Sequence, residues 1–386
     1  MMSLRGGGMF DYRLMELELF KEILEIESTS GTERRLAEFL EKRLPEIDGR
    51  CRCERLEVGD GTLNLLFRWG GTASNGHTLS GSLPRVLLCS HLDTVPPYIP
   101  PRFSKISAGT LLPDGKMAAA DDTLITGRGS CDAKGQFFSM FRACSELASE
   151  TSPADGQYDF GLLLLAGEET GSFGAKAFDR DCPGSGWIIV GEPTDNKMVS
   201  ASKGTKSFIV TVHGKACHSG YPELGRSAVD IFIDLMDRLR GTEFPLDPVL
   251  GKTTWNVGKL ASDNQQNILS PLLTFRIYFR TTFASDAMVQ ELMAAMASGC
   301  VEVEALGGDT PMRYTVFDGY DSKPVAFGSD TPRLSKFTHR SLCGPGSIFV
   351  AHTPYEYVLQ SDLELACGQY KDMIMKILDN TKTNAI

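Results

Sequence analysis

The stretch Val86-Leu-Leu-Cys-Ser-His-Leu-Asp-Thr-Val95 limits the fold more than any other part of the chain. Four apolar residues run straight into Ser90, His91, Leu92 and Asp93. This is the pattern of a strand buried in a parallel sheet, with a carboxyl end that opens onto a site. Ligands gather at such ends in open α/β sheets. His91 and Asp93 are two apart, so an extended strand points both to one face. Taken alone, His91 reads equally well as a hydrogen-bonded interior histidine.

Two further runs tip that balance. Phe160-Gly-Leu-Leu-Leu-Leu-Ala166 ends in Gly167-Glu-Glu-Thr170, and Trp187-Ile-Ile-Val190 ends in Gly191-Glu-Pro-Thr194. Three such strands, separated by helical patterns, predict a mainly parallel α/β sheet flanked by helices. Leu14 to Leu24 and Leu36 to Leu44 carry helical spacing, with Thr32 a candidate cap for the second. Residues 70–82 and the long Pro- and Gly-punctuated segment 96–123 read as loops, the latter functional by its length. Asp132 precedes the apolar helix 137–147 and is placed either to cap it or to serve a site.

After about Ser200 the texture changes. Strands near 207–213, 254–257, 272–281 and 301–305, with helices near 229–239 and 287–296, follow the order β-α-β-β-α-β of a ferredoxin-like α+β unit. From about Thr315 the α/β texture returns, ending in Ala351-His352 and a helix over 363–378. The expectation is a discontinuous catalytic domain, 9–204 and 315–386, with a domain inserted at 205–314.

Composition narrows the function. Against 39 Lys and Arg stand 49 Asp and Glu, a net charge of -10, which argues against nucleic-acid partners and anionic membranes. No apolar run approaches a membrane span. Residues 1–9 read as a flexible leader rather than a secretory signal. Ten cysteines in 386 residues are too sparse for a disulfide scaffold and fit reduced thiols in a cytoplasmic protein.

His91, Asp132, Glu169, Glu192 and His352 form a mixed nitrogen and oxygen set suited to zinc or a similar divalent ion. Five such groups exceed the needs of one catalytic ion. They suit a pair, each with one histidine and one terminal carboxylate, sharing a carboxylate between them. Asp93 is placed to hold His91 in one tautomer. Of the adjacent Glu168 and Glu169, one can bind metal while the other faces the attacking water as general base.

His91-Leu-Asp93, Gly127-Arg-Gly-Ser-Cys-Asp-Ala-Lys-Gly135, Gly167-Glu-Glu-Thr170, Gly191-Glu-Pro-Thr194 and Ala351-His352 resemble, in order and over almost the whole chain, the dinuclear zinc amidohydrolase and peptidase family. Acetylornithine deacetylase, succinyl-diaminopimelate desuccinylase and glutamate carboxypeptidase belong to it. The resemblance implies two zinc ions, with cobalt a substitute. Asp132 would bridge them, with His91 and Glu192 on one ion and Glu169 and His352 on the other, and Glu168 as base. It implies that His218, in Cys217-His-Ser-Gly220, donates to the oxyanion, generally across a homodimer formed by the inserted domains. Asn267, Arg280, Ser329 and Asp330 would meet the substrate.

Gly344-Pro-Gly-Ser-Ile348 and the glutamate of Gly191-Glu-Pro-Thr194 favour an acetylornithine-like N-acyl amino acid, in arginine biosynthesis. A carboxypeptidase or dipeptidase acting on short peptides is the alternative, and a non-catalytic ligand-binding relative a third. The segment 98–122 and Gln265-Gln-Asn267 depart from the family pattern and bear on the substrate.

Overall fold

The structure, a computed structural model, describes residues 12–59, 61–70, 82–153 and 156–380. The leader expected over 1–9 and most of the loop expected over 70–82 lie outside them. The chain divides into two compact units. One takes its described residues from Met1–Val199, Thr315–Ser322 and Ser329–Ile386, the other from Ser200–Tyr314 and Lys323–Gly328.

In the first unit, six strands make one mixed sheet in the order Cys51–Gly59, Thr62–Gly70, Gln157–Leu165, Val86–His91, Ser185–Val190, Phe337–Leu342. Val86–His91 lies between two parallel neighbours, His91 opposite Leu165 and Val86 opposite Trp187. All six of its residues are buried, which is why its sequence is apolar without alternation. The Phe337–Leu342 strand adds a third parallel ladder, and the Cys51–Gly59 hairpin an antiparallel edge. Helices Tyr12–Glu25, Arg34–Ile47, Lys134–Glu150 and Gln360–Asn380 supply apolar faces to one core, where Phe20 stacks on Phe138 at 4.7 Å.

Two local expectations are corrected, and one of the two readings left open for Asp132 falls away. Thr32 does not cap the second helix. Its hydroxyl donates to the carbonyl of Thr29 at 2.7 Å, and Glu33 occupies the cap position without a side-chain bond. Asp132 caps nothing either: the helix starts at Lys134, with Ala133 at the cap position. The segment 96–123 is not a plain loop. Arg102–Ile106 pairs with Asp122–Thr126, which pairs in turn with Tyr357–Leu359. Its tip folds back so that Leu112 and Ala118 pack on Cys131, Val350 and Tyr357. The charged, exposed positions of Arg102–Ile106 hide its strand character from a reading by hydrophobicity.

The second unit is a four-stranded antiparallel sheet in the order Thr254–Ala261, Leu272–Thr281, Gly204–His213, Val301–Gly307. Helices Ala228–Arg240 and Asp286–Met296 cover it, Ile231, Leu235 and Val289 meeting Val210, Phe275 and Ile277 in the core. Ser227 caps the first helix by accepting from the Val229 amide at 3.2 Å. Order and pairing are those of a ferredoxin-like unit.

Candidate metal centre

Four of the site side chains stand at or just beyond the carboxyl ends of parallel strands. His91 closes its strand, Glu168 and Glu169 follow Gln157–Leu165, and Glu192 follows Ser185–Val190. Gly167, between strand and glutamates, has φ of +67° and a Cβ there would lie 1.7 Å from the Phe173 ring. Only glycine fits that turn.

Asp132 is the meeting point. His91 Nε2 lies 3.1 Å from its Oδ1, and His352 Nε2 lies 3.3 Å from its Oδ2. His352 Nε2 is also 2.9 Å from Glu169 Oε1. One ligand atom each from His91, Asp132 and Glu169 falls within 4.8 Å of the others. His352 holds a left-handed φ of 62°, a conformation that costs energy in a non-glycine residue and recurs at functional sites.

Glu192 is buried, and its Oε1 has no protein partner. Burial pushes its carboxyl well above the ordinary range, and the charge of Asp132 adds to that. Glu168 is raised in the same direction, first by burial, with Asp330, Glu169 and Asp132 adding to it against His91. Its residue surface is only partly covered, and burial is still the largest cause of that rise. Burial works against the charged forms of Asp132 and His91. Their hydrogen bonds override it, holding Asp132 low and His91 high. His352 is pushed up to about 10 by Asp132 and Glu169. Concentrated acidic oxygens around two imidazoles are the donor set of a divalent-cation site.

His91 Nδ1 is 2.8 Å from the main-chain carbonyl of Asp93, closer than the 3.5 Å to its carboxylate. A carbonyl oxygen only accepts, so Nδ1 carries a proton there. The structure places Asp330 in the same neighbourhood. It is buried, shifted up to about 6 by burial, and close enough to sense His91 and Asp93. The Ser329 hydroxyl donates to Thr331 Oγ1 at 2.9 Å.

In the second unit His218 is exposed, its Nδ1 accepting from the Gly220 amide at 3.1 Å. The Ser219 amide donates to the carbonyl of Asn267 at 2.9 Å, so His218 and Asn267 share one loop pair. Arg280 lies on the strand Leu272–Thr281, its guanidinium 5.0 Å from the Tyr278 ring centre.

Sequence reading missed Glu356. It is 1% exposed, and its Oε1 accepts from the amides of Gly129, Cys131 and Asp132 at 2.9, 3.1 and 3.0 Å. Its Oε2 pairs with Arg128 at 2.5 Å. Burial and Asp132 push its carboxyl up to about 7, while those donors favour the ionised form. The available signal was an acidic residue placed directly before the buried pair Tyr357-Val358. All ten cysteines are free thiols, and among the described residues no helix is long and apolar enough to cross a membrane.

A mainly parallel sheet carrying this cluster, interrupted by a ferredoxin-like unit, is the architecture of an M20-type peptidase. The profile of the peptidase dimerisation domain matches residues 200–303. A peptidase M20 domain-containing protein of Schizosaccharomyces pombe is 31% identical over 364 residues, covering 93% of this chain and 84% of that protein. A probable carboxypeptidase of Uncinocarpus reesii is 32% identical over 393 residues, covering 93% and 86%. The chain belongs to the M20 peptidase family. The M20 family metallo-carboxypeptidase Sso-CP2 of Sulfolobus solfataricus has the same fold, with a TM-score of 0.66 at 16% identity over 93% of this chain and 98% of that one.

Proposed function

We propose that this protein is a metal-dependent peptidase that hydrolyses the amide bond of short peptides, as a carboxypeptidase or dipeptidase. The observation that carries the reading is Asp132, whose two carboxylate oxygens each face a different histidine. That is the disposition of a ligand shared by two ions. The partnerless, buried Oε1 of Glu192 fits the same reading, because a buried carboxylate oxygen calls for a cation. His91 and Glu192 would hold one ion, Glu169 and His352 the other, with Asp132 common to both. Two zinc ions, or cobalt in their place, would polarise the carbonyl and lower the pKa of the attacking water.

Glu168 takes the proton of that water and returns it to the departing amine. The enclosed position that raises its proton affinity suits it to hold the proton between the two steps. Asp93 fixes the ring of His91 and the turn that carries Glu168. His218 supplies a donor to the oxyanion, from the partner subunit of a homodimer built through the inserted unit. That unit's match to a peptidase dimerisation domain supports this assembly. Asn267, Arg280, Ser329 and Asp330 are assigned to the substrate, Arg280 to its carboxylate.

Relatives named carboxypeptidase favour peptides over acetylornithine. The test is amine release from dipeptides, tripeptides, N-acetyl and N-succinyl amino acids, after chelation and reloading with zinc or cobalt. Metal-dependent release of carboxyl-terminal residues from peptides is expected. Turnover confined to N-acyl amino acids would replace the peptidase reading with a deacylase. No turnover of any of them with metal bound would leave a binding protein.

A further inference from the structure

Asp132 works as a shared ligand only if its loop and that of His352 keep a fixed separation. The two loops lie far apart in the chain. The main-chain carbonyl of Glu356 accepts from the Gly127 amide at 3.1 Å, and its Oε1 gathers the amides of Gly129, Cys131 and Asp132. Glu356 thus binds the loop 127–132 at both ends, while standing four residues after His352 in the other ligand loop. Arg128 extends the link. Its guanidinium holds Glu356 Oε2, its Nε donates to the Pro97 carbonyl at 3.3 Å, and its own amide donates to the Ile99 carbonyl at 3.0 Å. The segment 97–99 lies in the same stretch as His91 and Asp93, with three residues between it and Asp93. Glu356 and Arg128 are both almost wholly buried, so these contacts are made away from bulk water.

We propose that Glu356 is a positioning residue for the metal centre: it collects the amides of Gly129, Cys131 and Asp132, and so holds the Asp132 carboxylate between His91 and His352. The role rests on the two-ion reading of the site. A lone oxygen accepting three amides leaves the loop one arrangement, and Asp132 then meets its partners without reordering as metal binds. Groups that orient metal ligands in this way change metal affinity by about 10–100-fold when removed.

The test separates the acceptor from the ion pair. Two double variants remove the buried charges of Arg128 and Glu356 together, so that neither is left alone. Arg128→Met with Glu356→Gln keeps an oxygen for the three amides, and Arg128→Met with Glu356→Met removes it. Zinc and cobalt affinities are measured by titration against a chelator, and amide hydrogen exchange at Gly129, Cys131 and Asp132 is followed in the metal-free protein. The Gln form is expected within about 3-fold of wild-type affinity. The Met form is expected to bind about 10–100-fold more weakly, with faster exchange at those amides. Equal affinities in the two forms would overturn the proposal. Should the Met form fail to fold, Glu356→Asp replaces it, keeping the charge but drawing the oxygen back by one methylene. It is expected to lose at least about 10-fold in affinity, and wild-type affinity there would also overturn the proposal. Wild-type protein that binds neither metal would instead refute the two-ion reading itself.

Discussion

The carboxylate of Asp93 accepts a hydrogen bond from the main-chain amide of Glu168 at 3.0 Å. Its other oxygen accepts from the Glu169 amide at 3.2 Å and from the Ser30 hydroxyl at 2.7 Å. One buried carboxylate therefore pins both glutamates by their backbones. Their side chains are left to diverge, Glu169 toward His352 and Glu168 toward a different set of charges. Burial alone would raise Asp93, but His91, Ser30 and the Glu168 amide hold it ionised.

Asp93→Asn should disturb this turn more than the ring of His91, which leans on the Asp93 main chain. In either orientation the new amide nitrogen faces a main-chain N–H, that of Glu168 or that of Glu169, so one contact becomes repulsive. Turnover should fall by about 10–100-fold with the protein still folded. Ser30→Ala, which removes one donor and creates no clash, should cost less. Steady-state kinetics with metal analysis checks both, and equal losses would contradict this ranking.

Glu168→Gln keeps the size of the side chain but cannot accept a proton. Turnover should drop by roughly 10²–10⁴, with the bound metal per chain unchanged. Loss of metal on this substitution would mean that Glu168 and Glu169 have exchanged roles.

Legibility followed the range of the interactions. Val86–His91 and the Glu168-Glu169 pair announce themselves because burial on both faces writes a local apolar run, and a polar residue directly after one stands out. The order of the inserted unit was readable for the same reason: alternation along Leu272–Thr281 and helical spacing along Ala228–Arg240 are local. Glu356 and Ser30 were not readable. Each acts on residues more than 60 positions away; Glu356 leaves only the weak local trace of standing before a buried pair, and Ser30 leaves none. Arg102–Ile106 failed for another reason, since an exposed strand carries no apolar stripe.

Lys134, in the same loop motif as Asp132, is 1% exposed. Its Nζ donates to the carbonyls of Ile26 at 2.6 Å and Ile23 at 3.3 Å, near the end of the helix Tyr12–Glu25. Burial lowers it to about 7 from an ordinary 10.5. A depressed lysine binds fewer protons folded than unfolded between those values, so stability rises with pH there. Below about 7 the cost of keeping the charge buried is paid in full. Relative to Lys134→Met, wild type should therefore gain up to a few kcal/mol between pH 7 and pH 10. Urea unfolding of both proteins at the two pH values checks the sign. A pH-independent difference would show that the lysine stays charged in the folded chain.

His218 carries the last prediction. If it donates to the oxyanion, it acts on the transition state more than on the bound substrate. His218→Ala should lower kcat by around 10²–10³, the scale of one lost oxyanion donor, with a smaller change in KM. If the donor comes from the partner subunit, two inactive proteins can repair each other. A mixed dimer of Glu168→Gln and His218→Ala subunits has one site whose own chain keeps Glu168 and whose partner keeps His218. That site is whole, and the other lacks both groups. Exchange between the two inactive homodimers should restore activity toward half the wild-type value in each mixed dimer, because one of its two sites is intact. Subunit exchange is followed independently by tagging one variant and isolating the mixed species. Full exchange without recovered activity would mean that His218 serves the site of its own chain.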